Sequence, residues 1–204
     1  SMRLAIDAMG NDRGPLPIVD GVKAFLADNT DTTVVLVGDE QRLRPVLAEA
    51  GLSSSDRLEI VHATQVVEMY DKVGALREKR DSSIMRLVGE VADGRADAMV
   101  ALGNTAAAVG AATMGLGRLK GVHRSGIAVP MPTRIVGRPC VVIDMGANTV
   151  CKPRHLVDYG IMASTYAERV LHVDSPRVGL LNVGEERGKG NPVLREAYDS
   201  LQQA

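Results

Sequence analysis

An α/β fold, built on a doubly wound, mostly parallel sheet with helices on both faces, is predicted by two features of the sequence. Short apolar runs alternate with segments of helical spacing along the whole chain. Most of those runs are continuously apolar rather than alternating, which is what a strand covered on both faces requires.

The elements follow in order. Leu4 to Ala8 reads as the first strand, and after Gly-Asn-Asp-Arg-Gly-Pro a helix runs from Leu16 to Ala27, with Ile18, Val19, Val22, Phe25 and Leu26 at helical spacing. Thr33 to Val37 is the second strand, followed by a helix over Gln41 to Ala50 that Gly51 closes. Leu58 to Val61 is the third strand, and Ser82 to Ala92 is a helix ending at Asp93-Gly94. Ala98 to Leu102 leads into Thr105 to Leu119, an Ala- and Gly-rich helix suited to very close packing. Gly126 to Val129, Cys140 to Ile143 and Val178 to Val183 complete a set of roughly seven strands. Pro153 to Leu171 is the longest helix, and Asn191 with Pro192 opens the last one. No repeat, low-complexity tract or long linker interrupts the pattern, so residues 1-204 are expected to form a single α/β domain.

Composition narrows the function. The 204 residues are 45% hydrophobic but hold one Phe, four Tyr and no Trp, so the core must be aliphatic. A net charge of −1 and the lack of aromatic stacking platforms argue against a nucleic-acid partner. Cys140 and Cys151 are the only cysteines. With neither a secretory pattern nor an apolar run long enough to span a bilayer, they point to a reducing cytoplasm. Cys151 has His155 one helical turn on, but such scattered groups make no closed zinc site, and no metal is expected.

The chemistry is expected in the loops that follow strands, where doubly wound sheets bind ligands. The most informative stretch is Arg177 to Asn191. There an apolar run closes at Val183 and gives way to Gly184, Glu185, Glu186, Arg187, Gly188, Lys189, Gly190 and Asn191. Glycines that allow close backbone approach, with a lysine held between two of them, suit an anionic guest. The stretch is not a P-loop: only three residues separate Gly184 from Gly188, and Gly190 stands where a magnesium-binding hydroxyl belongs. An ordinary strand-to-helix turn with a solvated charge cluster is the plain alternative.

Three further loops share this character. In Asp7 to Pro15, Asp7 lies near a strand end and Gly10 and Gly14 free the backbone, while Asp12 suits helix capping as well as substrate contact. Gly103-Asn104-Thr105 opens the alanine-rich helix, where unpaired N–H groups and the helix dipole favour phosphate, although Asn104 equally suits an N-cap. Asp144-Met145-Gly146-Ala147-Asn148 runs on through Cys151 and Lys152 to Pro153, with Gly146 and Ala147 small enough for a ligand to lie against the backbone. There is no G-x-S-x-G elbow and no G-x-G-x-x-G after the first strand, and the histidines at 62, 123, 155 and 172 lie outside these loops. Serine nucleophile chemistry and a dinucleotide cofactor are therefore disfavoured, and no cofactor is expected.

Ala5 to Gly10, Arg80 to Ser83, Gly103 to Thr105, Asp144 to Asn148 with Cys151-Lys152-Pro153, and Pro176 to Asn191 together resemble the PlsX family, the phosphate acyltransferases of bacterial phospholipid synthesis. The resemblance implies transfer of a fatty acyl group from acyl carrier protein to inorganic phosphate, giving acyl phosphate. It implies a fold similar to phosphate acetyltransferase and isocitrate dehydrogenase-like folds, and a cytoplasmic homodimer touching the inner face of the membrane. It also implies that this chain is the N-terminal portion of a longer family fold.

Phosphate is itself a nucleophile and a thiolate leaves readily, so such a site needs orientation and anion stabilisation more than a Ser-His relay. Gly103, Asn104 and Thr105 are expected to bind phosphate. Lys189 is expected to stabilise the developing negative charge, with Asn148 and Asn182 supplying hydrogen bonds as the other catalytic candidates. Asp7, Gly10, Asp12, Asp144, Gly146, Ala147, Lys152, Gly184, Glu185, Gly188 and Gly190 complete the expected binding set. The sequence departs from the family pattern at Asn11, Arg13, Leu102, Ala106 and Val150, the last standing where a carboxylate is usual. A catalytically incomplete module that binds phosphate or carrier protein without turnover is the alternative function.

Overall fold

The computed structural model describes residues 1–52, 57–184, 186 and 189–204. These divide into two compact units, Ser1–Gly117 and Arg118–Ala204, where the sequence pattern suggests one continuous domain. The boundary falls inside the predicted Thr105 to Leu119 helix. That helix stops at Gly115 because Gly117 turns into the left-handed region at φ +76, a conformation glycine adopts without strain.

The first unit holds four parallel strands: β1 (Met2–Asp7), β2 (Thr32–Gly38), β3 (Leu58–His62) and β4 (Ala98–Val100), in the order β3-β2-β1-β4. Helices α1 (Leu16–Asp28), α2 (Glu40–Glu49), α3 (Ser83–Ala92) and α4 (Thr105–Gly115) cover both faces. Strand side chains alternate, so each face collects its own set. Ala5, Val35 and Val37 pack with Ile84, Leu87 and Val88 of α3 and with Ala107 and Ala111 of α4. Ile6, Val34 and Leu36 pack with Ile18, Val19, Val22 and Leu26 of α1 and with Leu43 and Leu47 of α2. β2 has a strand on either side and helices above and below, and every one of its residues is buried. The small residues of α4 do what their composition suggested: a methyl added at Gly115 would lie 2.3 Å from Val88 Cγ1 of α3.

The second unit holds β5 (Val129–Met131) and β6 (Cys140–Val142), an antiparallel ribbon, with helices α5 (Pro153–Arg169) and α6 (Pro192–Leu201). β5 starts later than the predicted Gly126 to Val129 because the backbone there is committed to a loop. Ile127 N–H donates to Asp144 Oδ1 and the Ile127 carbonyl accepts from Met145 N–H. The expected strand over Val178 to Val183 does not form. Val178, Leu181 and Val183 are 49%, 89% and 87% exposed, and among the described residues no strand pairs with the segment. No helix among the described residues is long and apolar enough to cross a membrane.

Candidate active site

In the first unit the chain lays β1, β2 and β3 side by side, then crosses back to place β4 on the other edge of β1. The switch point, where open α/β sheets bind ligands, therefore lies between the loops that follow β1 and β4. Asp7 ends β1 and is 4% exposed, and its Oδ1 accepts the N–H groups of Met9 at 3.0 Å and Gly10 at 3.2 Å. This folds the loop back towards β4. Gly10 and Gly103 then meet backbone to backbone: a Cβ at Gly103 would lie 2.3 Å from the Gly10 carbonyl oxygen. Asp7, Gly10, Gly103 and Asn104 line a cavity of about 10 Å³, room for one water rather than a phosphate. The glycines sequence reasoning reserved for ligand approach serve, in this geometry, the approach of two loops.

Asn104 caps α4, its Oδ1 accepting from Ala107 N–H at 3.0 Å. Its amide nitrogen faces the carbonyls of Glu68, Met69 and Asp71 at 3.1, 3.1 and 2.9 Å, which anchors the long loop between β3 and α3 to the start of α4. Thr105 is exposed, and among the described residues its hydroxyl has no protein partner. Asp12 is exposed and caps nothing, since the residue before α1 is Pro15, which makes no side-chain cap bond. Asp81, which sequence reasoning noted only within a motif, organises the far end of the same loop. It accepts from the Thr64 hydroxyl, Arg86 Nε and Thr64 N–H, and these bonds hold its carboxyl at about 2.

The second unit repeats the aspartate device more fully. Asp144 Oδ1 accepts from Ile127 N–H at 2.9 Å and Ala147 N–H at 3.1 Å, and Oδ2 from Asn148 N–H at 2.8 Å and Asn148 Nδ2 at 2.9 Å. Burial would raise its pKa. The bonds from Ile127, Asn148 and Ala147 outweigh that and hold it below the ordinary carboxylate value. Gly146 takes φ +102, which only glycine adopts freely.

Asn148 is the hub of this loop: Nδ2 also reaches the Ser125 carbonyl at 2.8 Å and the Tyr159 hydroxyl at 2.9 Å, and Oδ1 accepts from Arg124 Nε. Tyr159 is 2% exposed; burial, with Cys151 and Asp144 nearby, pushes its phenol well above the ordinary value, so it stays protonated. Arg124, Ser125 and Tyr159 were missed from sequence. The available signal was Tyr159, one of the two tyrosines of α5 and the fully buried one. Lys152 is exposed at the N-cap of α5, and its N–H donates to His155 Nδ1 at 3.2 Å. Burial, then Arg154 and Arg124, lower the His155 pKa and keep that nitrogen a neutral acceptor.

The lysine loop is held by Asn182. Its Oδ1 accepts from Val183 N–H at 2.8 Å and its Nδ2 donates to the Lys189 carbonyl at 3.2 Å. A Cβ at Gly190, φ +83, would lie 2.4 Å from Asn182 Oδ1, so this close approach needs glycine twice over. At Gly184 a Cβ would come within 3.0 Å of Lys189 Cγ. The two remaining expectations here, Glu185 and Gly188, lie outside the described residues. Asn191 caps α6 through Leu194 N–H at 3.0 Å. Between this loop and α6 runs a groove of about 620 Å³, with Leu180, Leu181, Val183 and Leu194 on its apolar side and Lys189 and Arg195 among its charged groups. The predicted residues thus gather in three clusters: Asp7, Gly10, Gly103 and Asn104; Asp144, Ala147 and Asn148; and Asn182, Gly184, Lys189 and Gly190. Among the described residues no His, Cys, Asp and Glu cluster is fit to hold a metal.

A family model described as "Fatty acid synthesis protein" matches residues 2–204. The chain belongs to this family. Curated relatives named "Phosphate acyltransferase" include those of Bacillus pumilus, 42% identical over 98% of this chain and 59% of the relative, and Pelotomaculum thermopropionicum, 45% identical over 100% of this chain and 58% of the relative. The Bacillus subtilis relative of the same name is 41% identical over 99% of this chain and 60% of its own length. The chain thus spans about three-fifths of the relatives it matches. Among solved structures, the EutD phosphotransacetylase from Staphylococcus aureus superposes with a TM-score of 0.65 at 18% identity, covering 100% of this chain and 64% of that one. That likeness extends the doubly wound α/β assignment from sheet pattern to fold, and the family's connection to fatty acid synthesis is plain from its description.

Proposed function

We propose that the family fold to which this chain belongs transfers a fatty acyl group from acyl carrier protein to inorganic phosphate. A phosphate oxygen attacks the thioester carbonyl, the C–S bond breaks, and the carrier thiol leaves with a proton as acyl phosphate forms. The observation that carries this reading is the groove beside α6, where Lys189 and Arg195, with the carboxylates of Glu186 and Asp199 also in the lining, accompany a wall of Leu180, Leu181, Val183 and Leu194. A cation suits the phosphate or oxyanion charge and the apolar wall suits the acyl chain.

In this reading Lys189 is the catalytic cation, Asn182 fixes its loop, and Asn148 with Asp144 orients the second phosphate-facing loop. Gly103, Asn104 and Thr105 contribute N–H groups and a hydroxyl once the crevice beside Gly10 widens. Partners under the same reading are acyl carrier protein, inorganic phosphate, a second copy of the chain, and a membrane surface reached from the cytoplasm. The two units would then be parts of one longer domain.

Incubation with acyl carrier protein thioester and phosphate tests it. Acyl phosphate should appear, and Lys189→Ala should reduce its formation by at least about 100-fold with the circular dichroism spectrum unchanged. Undiminished turnover in that variant would remove the lysine from the mechanism. The use of the Asn104 and Asn148 amides on acceptors of the protein itself favours a second reading, a module that binds without turnover. Phosphate or carrier binding with no acyl phosphate release would select it.

A further inference from the structure

Arg124 sits at the hub of the Asp144 loop with no charge to match its own. Its Nε donates to Asn148 Oδ1, which fixes the plane of the guanidinium, while the residue is exposed and among the described residues neither Nη group has a partner. A fork held from behind, with its two outer nitrogens open, suits bidentate capture of a phosphate or carboxylate. The carboxylates of this region do not fill it. Each oxygen of Asp144 already accepts two N–H groups, and Asp158 accepts from His123 N–H at 2.7 Å and lies 3.0 Å from His123 Nδ1.

What gathers there instead is positive charge. Lys152 and Arg154 are exposed at the start of α5, and among the described residues their charged groups have no partner. Burial, then Arg154 and Arg124, and more weakly Lys152 lower the His155 pKa against the pull of Asp158, so all three cations lie within electrostatic reach of one buried ring. Unpaired cations around a neutral histidine repel one another, and an anion from solution relieves that repulsion.

The aim of the fork is set by the other end of the Asn148 amide. Nδ2 faces the Ser125 carbonyl at 2.8 Å, the Tyr159 hydroxyl at 2.9 Å and Asp144 Oδ2 at 2.9 Å. With the amide turned over, its oxygen would meet a carbonyl and a carboxylate, so Oδ1 is committed to Arg124. Tyr159 anchors the arrangement from the core. It is 2% exposed, and its ring is wedged against Gly126, where an added Cβ would lie 2.9 Å from Cε1.

We propose that Arg124 binds a phosphate-type oxyanion, and that Tyr159 is a positioning residue that sets the Arg124 fork through Asn148. For the role of that anion the inference rests on the proposed reaction, whose substrates carry two such groups: inorganic phosphate, and the phosphodiester of the carrier's prosthetic arm. Its test reads binding alone, so either reading can fail without the other.

The full chain is titrated with inorganic phosphate and, separately, with dimethyl phosphate, and binding is followed by phosphorus NMR. An anion should bind the wild type. In a Lys189→Ala background, which removes the charge of the lysine loop, Arg124→Gln should weaken binding at least about tenfold, and Arg124→Lys several-fold because lysine keeps the charge but not the fork. Tyr159→Phe keeps the ring and should weaken binding about threefold, yet add nothing once Arg124 is replaced by Gln, because its effect passes through that side chain. Circular dichroism checks the fold of each variant. Preference for inorganic phosphate assigns the fork to the acceptor, and equal or tighter binding of the diester assigns it to the carrier's arm. No binding by the wild type, or equal binding by Arg124→Gln, would overturn the proposal. A Tyr159→Phe loss that persists in the Arg124→Gln background would overturn the positioning role, since the tyrosine would then act as a structural residue only.

Discussion

Thr32–Gly38 and residues 178–183 are both short apolar runs, Thr-Thr-Val-Val-Leu-Val-Gly and Val-Gly-Leu-Leu-Asn-Val, yet only the first is a strand. Every residue of β2 is buried between β1 and β3 and between two pairs of helices, whereas Leu181 is 89% exposed and unpaired. The two differ in neighbours rather than in local character. A continuous apolar run declares that a segment should be buried on both faces, but the pairing that makes it a strand comes from segments distant in sequence.

The comparison breaks most sharply under truncation of equivalent leucines. Leu36→Ala should cost about 2–5 kcal/mol in chemical denaturation, because Leu36 is fully buried and leaves a cavity. Next is Gly103→Ala. The added methyl meets the Gly10 backbone, which no side-chain rotation relieves, and about 1–3 kcal/mol of stability should be lost, read as a lower melting temperature. Asn104→Ala removes the α4 cap and the anchor of the β3–α3 loop, and should cost about 1–2 kcal/mol, with faster amide exchange over Glu68 to Asp71.

A smaller, pH-dependent effect belongs to the second unit. The folded His155 pKa lies below the unfolded value of about 6.5, so the unfolded state binds the proton first. Stability should fall as pH drops below about 6.5, and His155→Gln should flatten that dependence in denaturation curves at pH 8 and pH 5.5. The smallest effect closes the comparison: Leu181→Ala should change stability by less than about 0.5 kcal/mol. A loss as large as that of Leu36→Ala would mean the 178–183 segment is buried in solution.

The helices were the most legible part of the fold. Leu16, Pro153 and Pro192 start where spacing and capping residues place them, because those signals lie within a few residues of the element they define. The two-faced sheet of the first unit was legible for the same reason. The missing strand and the late start of β5 were not, since each depends on what a distant segment does with its backbone groups. At the candidate site, three of the four loops follow strands as expected, after β1, β4 and β6, whereas the lysine loop follows a segment that forms no strand. The sequence offers Asn104 as a phosphate ligand or an N-cap and Asn148 as a ligand; Asn104 is the N-cap, and both residues spend their amides on the protein. Hydrogen-bond capacity is visible in a sequence; which partner takes it up depends on the fold.

The meeting of Gly10 and Gly103 has a consequence for how the chain tolerates change. The two glycines answer to different neighbours: a Cβ at 103 would lie 2.3 Å from the Gly10 carbonyl oxygen, whereas a Cβ at 10 would lie 2.7 Å from Asp7 Oδ2, with Gly103 Cα at an ordinary 3.6 Å. Alanine at 103 therefore strains the approach of two loops, and alanine at 10 strains the aspartate turn inside its own loop. The crevice is guarded by two separate constraints, and relieving one leaves the other in place.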